Sequence, residues 1–64
     1  MNRNLLKAEI VRNGYSQQDM AKIIGITPKT FYTKMKKGVF GTDEVKVLID
    51  TLDLKNPMEI FFDK

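Results

Sequence analysis

The 64-residue sequence has no cysteine and no histidine. Without cysteine there are no disulfide bonds, and without either residue type there is no Cys/His zinc site. A chain this short forms at most one domain and buries only about 60% of its unfolded surface. Its stability must therefore come from compact helix packing or from self-association.

Long apolar runs are also missing, since none exceeds four residues. A membrane-spanning helix needs about 20 apolar residues, and a secretory signal peptide needs an apolar segment of about 7–15. The opening MNRNLLKAEI contains neither. We therefore expect a soluble, complete chain, and the lack of cysteine fits the reducing cytoplasm.

Catalytic groupings are scarce as well. With no histidine or cysteine, no hydroxyl nucleophile has an obvious general base. The four glycines stand singly, so there is no glycine-rich phosphate loop. We expect no enzymatic activity, no cofactor and no metal site.

The positive charge lies in the middle of the chain. The net charge is +3, but residues 20–42 contain five lysines and no acidic residue, whereas residues 43–64 are net negative. A basic patch on one face is typical of a protein that binds a polyanion. The alternative is a solvated, lysine-rich surface.

Apolar periodicity predicts five short helices and no strands, which makes residues 1–64 a single all-α domain. The first helix is expected at residues 4–13. Its buried side is predicted to hold Leu5, Leu6, Ala8, Ile10 and Val11. Thr42 is expected to cap the fourth helix, and Asn56 with Glu59 should form a capping box for the fifth, so these helices occupy residues 42–62.

The stretch between the second and third helices predicts a sharp turn. Ser16 and Asp19 form a capping box at the start of the second helix, and Thr27 caps the third with Pro28 at its first position. Gly25 can adopt the positive φ of a reversal. Residues 16–38 therefore fit a helix-turn-helix, the alternative being an ordinary corner between two helices.

The third helix, residues 28–37, has two contrasting faces. At 100° per residue, Phe31 and Met35 point inward, and Tyr32 borders the buried side. The opposite stripe contains only lysine and threonine, namely Lys29, Thr30, Thr33, Lys36 and Lys37. Crowded lysines repel one another, which destabilises the free helix. Nearby phosphate groups would replace this repulsion with attraction. Lysine can also reach guanine O6 and N7, and threonine can meet a base edge or a thymine methyl.

The run SQQDMAKIIGITPKTFYTKMKKG, residues 16–38, resembles the helix-turn-helix of phage repressor and Cro-like proteins. The run TLDLKNPMEIFF resembles the last two helices of small Gram-positive phage and prophage members. The resemblance implies a lambda-repressor-like helix-turn-helix DNA-binding domain in the cytoplasm of a bacterial host cell. Lys34 departs from the family pattern, which often has an apolar residue there, and Met35 is expected to take the core role.

The resemblance also implies roles for individual residues. Base-reading positions are Pro28, Lys29, Tyr32 and Thr33. Phosphate contacts are expected at Gln17, Thr30, Lys36, Lys37 and Thr42. Pro28 departs from the family pattern, which commonly has a polar residue at this position.

Two functional hypotheses remain open. The first is a sequence-specific transcriptional regulator of Cro or short-repressor type, which binds a pseudo-palindromic operator as a dimer. Candidate dimer contacts are Val39, Phe40, Ile60, Phe61 and Phe62, although the aromatic end could instead cover the core. The second is an antitoxin-like or anti-repressor protein-interaction module that uses the acidic, aromatic C-terminal end.

Overall fold

The computed structural model describes residues 1–62, and in that range it has five α-helices and no strand. The helices are α1 (Arg3–Arg12), α2 (Gln17–Ile24), α3 (Pro28–Lys37), α4 (Thr42–Leu52) and α5 (Pro57–Phe61). This confirms the predicted all-α architecture. Within this part of the chain, no helix is long and apolar enough to cross a membrane.

The starts of α2 and α3 follow the predicted capping pattern. The Ser16 hydroxyl accepts a hydrogen bond from the backbone N–H of Asp19 at 3.0 Å, and the Asp19 carboxylate accepts one from Ser16 N–H at 2.8 Å. The hydrogen bond from Ser16 N–H to this carboxylate, together with one from the Ser16 side chain, lowers the pKa of Asp19. The Thr27 hydroxyl accepts from Thr30 N–H at 3.2 Å, and Pro28 is the first helical residue. Both caps confirm predictions from local sequence.

The starts of the remaining helices differ in detail. Helix α1 begins one residue earlier than predicted because the Asn2 side chain caps it, accepting from Leu5 N–H at 3.0 Å. The prediction that Thr42 caps α4 is wrong. Gly41 is the N-cap, and its N–H donates to the Glu44 carboxylate at 2.7 Å.

The predicted capping box of α5 is also wrong. Asn56 is the N-cap, but its side chain makes no hydrogen bond to the helix backbone. The side-chain amide of Asn56 donates instead to the Glu59 carboxylate at 2.9 Å. Asn56 has φ −137° and ψ 63°, outside the extended conformation that normally directs a capping side chain at the first turn.

The core draws residues from every helix. Its buried members are Leu6, Ile10, Met20, Ala21, Phe31, Met35, Leu48, Leu52, Leu54 and Ile60. Helix α2 packs against α1, α3 and α4, and α1 also contacts α5. Val11, predicted to be buried, is 72% exposed, and Ala8 is exposed too. Helix α1 fully buries only the i, i+4 stripe of Leu6 and Ile10, and Ala8 and Val11 lie off this stripe on the solvent side.

Candidate nucleic-acid interface

The turn between α2 and α3 depends on Gly25. This residue has φ 94° and ψ 28°, a left-handed conformation, and a Cβ there would meet no atom within 4 Å. Glycine is therefore favoured at this position by the left-handed backbone conformation and not by a lack of space for a side chain. The N–H groups of Gly25 and Ile26 both donate to the Ala21 carbonyl, at 2.9 and 3.0 Å. Ile26 packs on the core, so α3 is held against α2 as predicted.

The buried face of α3 consists of Phe31 and Met35, which are 0% and 3% exposed. The Phe31 ring meets the Phe40 ring at a centroid distance of 5.4 Å. Tyr32 is 45% exposed and presents an edge-on contact to Phe31. Its ring therefore packs on one side and is open to a ligand on the other.

The opposite face of α3 is open to solvent. Its exposed residues are Pro28, Lys29, Thr30, Thr33, Lys36 and Lys37. Among residues 1–62, no carboxylate lies within ion-pair distance of the three lysines on this face. The face therefore presents uncompensated positive charge to solvent.

The two threonines of this face differ in hydrogen bonding. The Thr33 hydroxyl donates to the Lys29 carbonyl at 3.0 Å. Thr33 can therefore accept a hydrogen bond from a ligand and offer it a methyl group. The Thr30 hydroxyl accepts from the Thr27 hydroxyl at 2.9 Å and keeps its own proton to donate. A donor suits a phosphate oxygen, and an acceptor suits the amino group of a base.

Lys34 is set apart from the other lysines of α3. Its ammonium group lies 2.6 Å from the Glu44 carboxylate, and the Lys34 side chain is only about one-third exposed. The hydrogen bond from Lys34, together with that from Gly41 N–H, lowers the pKa of Glu44. Lys34 thus links the end of α3 to the start of α4, which explains why a lysine can occupy a position that the resemblance associates with apolar residues.

This link predicts a pH-dependent contribution to stability. Because folding lowers the pKa of Glu44, the contribution is present above the unfolded pKa of about 4.3 and disappears as pH falls through the lower folded value. We expect Glu44→Gln to reduce the unfolding free energy by about 1 kcal/mol at pH 7. The difference from the parent protein should shrink towards pH 3. Urea unfolding at a series of pH values measures it.

Asp43→Asn is the matched control for this experiment. Asp43 lies in the same first turn of α4 and is exposed, with no side-chain hydrogen bond to the described residues. It should change stability little at any pH. Equal pH profiles for the two variants would contradict a specific role for the Lys34–Glu44 pair.

A polar groove lies beside α3, between the starts of α1 and α2. Its volume is about 720 Å³. We call it the basic groove and define it by Arg3, Lys7, Gln17, Tyr32 and Lys36, which are among its lining residues. The groove brings together three residues that the sequence analysis assigned to DNA, from two different helices.

Arg3 was missed by the sequence analysis. Its guanidinium Nη1 donates to the Lys36 carbonyl at 2.7 Å, which ties α1 to the last turn of α3. The two residues are 33 positions apart. Their proximity results from packing, and no local sequence signal indicates it.

A second groove, about 270 Å³ in volume, lies just beyond the C-terminal end of α3. We call it the apolar groove, and its lining includes Val39, Phe40, Thr42, Phe61 and Phe62. Four of the five candidate dimer contacts meet here. Val39 and Phe62 are 66% and 65% exposed. Thr42, assigned to a phosphate, lies in this groove and not in the basic one.

The position of Ile60 differs from that of the other candidate dimer contacts. It is 3% exposed and belongs to the core, and its carbonyl accepts a hydrogen bond from Asn2 N–H at 2.7 Å. Ile60 and Phe62 are two residues apart and point in roughly opposite directions from this short helical end, so burying Ile60 leaves Phe62 exposed. One aromatic ring of the final segment, that of Phe62, is therefore open to solvent.

Helices α2 and α3, joined at the left-handed Gly25 and carrying an exposed basic face, define a helix-turn-helix DNA-binding domain. A family model described as bacterial regulatory protein, Fis family, matches residues 2–38, from the N-cap of α1 to the C-cap of α3. The chain belongs to this family and is a DNA-binding helix-turn-helix transcription regulator. Proteins of this class are generally not enzymes. No curated protein and no solved structure matches the chain significantly.

Proposed function

We propose that the protein is a sequence-specific transcriptional regulator of Cro or short-repressor type, which binds a pseudo-palindromic operator as a homodimer in the bacterial cytoplasm. The observation that carries this proposal is the exposed face of α3. Its lysines have no acidic partner among the described residues, while Phe31 and Met35 hold the opposite face in the core. An α-helix held out in this way fits the major groove of B-DNA.

Base reading falls to the exposed residues in the first two turns of α3. Lys29 would donate to guanine O6 and N7. Thr33, whose hydroxyl proton is already donated to the helix, would accept from an amino group or touch a thymine methyl. Pro28 and the open side of Tyr32 would contribute apolar contacts.

Phosphate contacts flank these residues. Gln17, Lys36 and Lys37 would hold the DNA backbone, with the free hydroxyl proton of Thr30 adding a further contact. Each phosphate that a lysine such as Lys36 or Lys37 neutralises should contribute about −0.9 to the slope of log K against log salt. Thr42, in the apolar groove, is the phosphate assignment with the least geometric support.

The apolar groove supplies a surface for dimerisation. It is continuous with the end of α3 through Val39 and Phe40, and Phe62 leaves an aromatic ring exposed at its edge. An isologous contact between two copies would cover these residues. It would also present two α3 helices to successive major grooves, about 34 Å apart.

Exposed apolar residues near the C-terminal end also support the second candidate function, binding to another protein. Val39, Met58 and Phe62 are all more than 60% exposed. If they bind a different protein, then the lysines of α3 need not read bases at all. The two functions differ in whether the purified chain selects a DNA sequence.

Selection from a randomised duplex pool at roughly physiological salt tests the proposal directly. We expect the recovered DNA to share a pseudo-palindrome whose half-sites lie about one helical turn apart. A consensus without dyad symmetry would contradict the dimer. Recovery of no consensus, with binding that disappears as salt rises, would contradict sequence-specific regulation and favour the protein-interaction module.

Substitutions on α3 should separate base reading from phosphate binding. Thr33→Ala is expected to relax preference at one or two base pairs and to leave the salt dependence unchanged. Lys36→Ala should weaken binding to all sequences and reduce the salt slope by about one. Fluorescence anisotropy on the selected operator and on single-base variants measures both effects. If the two substitutions act identically on every duplex, the assignment of α3 to base reading is wrong.

A further inference from the structure

Two cationic residues of the basic groove, Arg3 and Lys7, have no role in the interface described so far. Both lie on α1, on the side that faces the exposed end of α3 across the groove. The Lys7 side chain is exposed and makes no hydrogen bond or ion pair with the described residues. The groove therefore holds positive charge from two helices, with Lys36 on its opposite wall.

Arg3 is held in place over this groove. Its Nη1 atom donates to the Lys36 carbonyl at 2.7 Å, which leaves the other N–H groups of the guanidinium free to bind a ligand. Holding the guanidinium in one position reduces the conformational entropy that a ligand must overcome. A planar guanidinium with several free donors suits phosphate oxygens especially well.

The charge balance of the groove favours an anion. No carboxylate side chain lies among its lining residues. The acidic residue of α1, Glu9, is paired with Arg12 at 2.6 Å. Arg3, Lys7 and Lys36 thus repel one another in the free protein, and a phosphate between them would relieve that repulsion.

The shape of the groove favours a polymer over a small anion. The groove is open to solvent and is continuous with the outer face of α3, because Lys36 belongs to both surfaces and the exposed Tyr32 lies beside it. Gln17, at the first position of α2, lies along the same path. An extended chain of phosphates can follow this path, whereas a single phosphate would occupy only part of it.

We propose that the basic groove binds the sugar–phosphate backbone of duplex DNA, with Arg3 and Lys7 as phosphate contacts. The inference rests on the proposed function, and it adds α1 to the DNA interface. The backbone passes over Gln17 and Lys36 and continues along the start of α1 while α3 occupies the adjacent major groove. Arg3 has two roles, since it holds the last turn of α3 and binds phosphate.

Salt titrations of single variants test this inference. Lys7→Ala is expected to reduce the slope of log K against log salt by about 0.9, and to weaken binding to the selected operator and to an unrelated duplex alike. Arg3→Gln should have the same effect on the slope. Arg3→Gln also removes the hydrogen bond to the Lys36 carbonyl, so the thermal unfolding of this variant is measured in parallel. Lys7→Ala leaves that bond intact and therefore tests the phosphate contact independently.

Lys46→Ala is the matched control. Lys46 is an exposed lysine on α4, outside the basic groove, so its removal changes the net charge equally. It should leave the salt slope unchanged. A slope change equal to that of Lys7→Ala would show that net charge alone is responsible and would overturn the inference.

Two further outcomes separate this inference from the proposed function. If Lys36→Ala reduces the slope but Lys7→Ala and Arg3→Gln do not, then the groove contact is wrong while DNA recognition by α3 stands. If the parent protein selects no sequence, then the proposed function itself fails. NMR titration with inorganic phosphate tests whether the groove is instead a site for the free ion. Saturable binding of this ion that Lys7→Ala abolishes, without any change in DNA salt slope, would identify a small-anion site and overturn the inference.

Discussion

Replacing Phe31 with alanine is expected to unfold most of the protein. Phe31 is fully buried, it packs against Phe40, and it is the largest side chain of the core. Truncating a buried phenylalanine costs about 3–5 kcal/mol. At roughly 0.05–0.15 kcal/mol per residue, a domain of this size has only about 3–10 kcal/mol in total. Circular dichroism and urea unfolding should show a loss of helicity or a much lower midpoint.

Two companion variants make the Phe31 result specific. Phe31→Leu keeps most of the apolar volume and should remain folded with a smaller loss of stability. Tyr32→Ala removes the adjacent ring, which is 45% exposed, and should affect DNA binding more than stability. Retention of the parent unfolding midpoint by Phe31→Ala would mean that Phe31 does not anchor α3 in the core.

Replacing Val39 with glutamine is expected to weaken operator binding by about 2–4 kcal/mol, or roughly 30- to 1,000-fold. In the proposed dimer each copy buries Val39 in the shared apolar contact, so one substitution removes two apolar side chains from the interface. Glutamine adds no charge that could repel DNA. Binding to an isolated half-site should be unchanged, because a single subunit makes no dimer contact there. Anisotropy on full-site and half-site duplexes measures the difference.

Val11→Gln is the control for the Val39 substitution. Val11, on α1, is an exposed valine like Val39, with 72% of its surface exposed. Unlike Val39, it lies outside both grooves. It should leave full-site binding unchanged. Equal full-site affinity for Val39→Gln and the parent protein would place the dimer contact elsewhere. The apolar groove would then become the surface to test for a different protein partner.

Local chemistry explains which parts of the fold could be predicted from the sequence. The Ser16–Asp19 box, the Thr27 cap and the glycine turn at Gly25 each involve groups within five residues of one another. Interactions over such short separations depend little on the rest of the fold. The inward positions of Phe31 and Met35 follow in the same way from helical periodicity.

The errors arise where a more distant group competes with a local one. Threonine and glycine have similar N-cap propensities, so local preference does not decide between Thr42 and Gly41. The Glu44 carboxylate, however, accepts from Gly41 N–H and also pairs with Lys34, and this combination sets the start of α4 one residue earlier. Sequence alone also could not decide which residue of the final segment enters the core, and the structure buries Ile60 there.

The sequence by itself determined the five helices, the sharp turn at Gly25 and the lysine–threonine face of α3, because these follow from periodicity, capping and backbone freedom within a few residues. Only the tertiary structure decided the rest. It paired Lys34 with Glu44 and placed Arg3 on the Lys36 carbonyl, across separations of 10 and 33 residues. It also separated the buried Ile60 from the exposed Phe62. These features depend on which helix surfaces meet, and that follows from packing all five helices around one core.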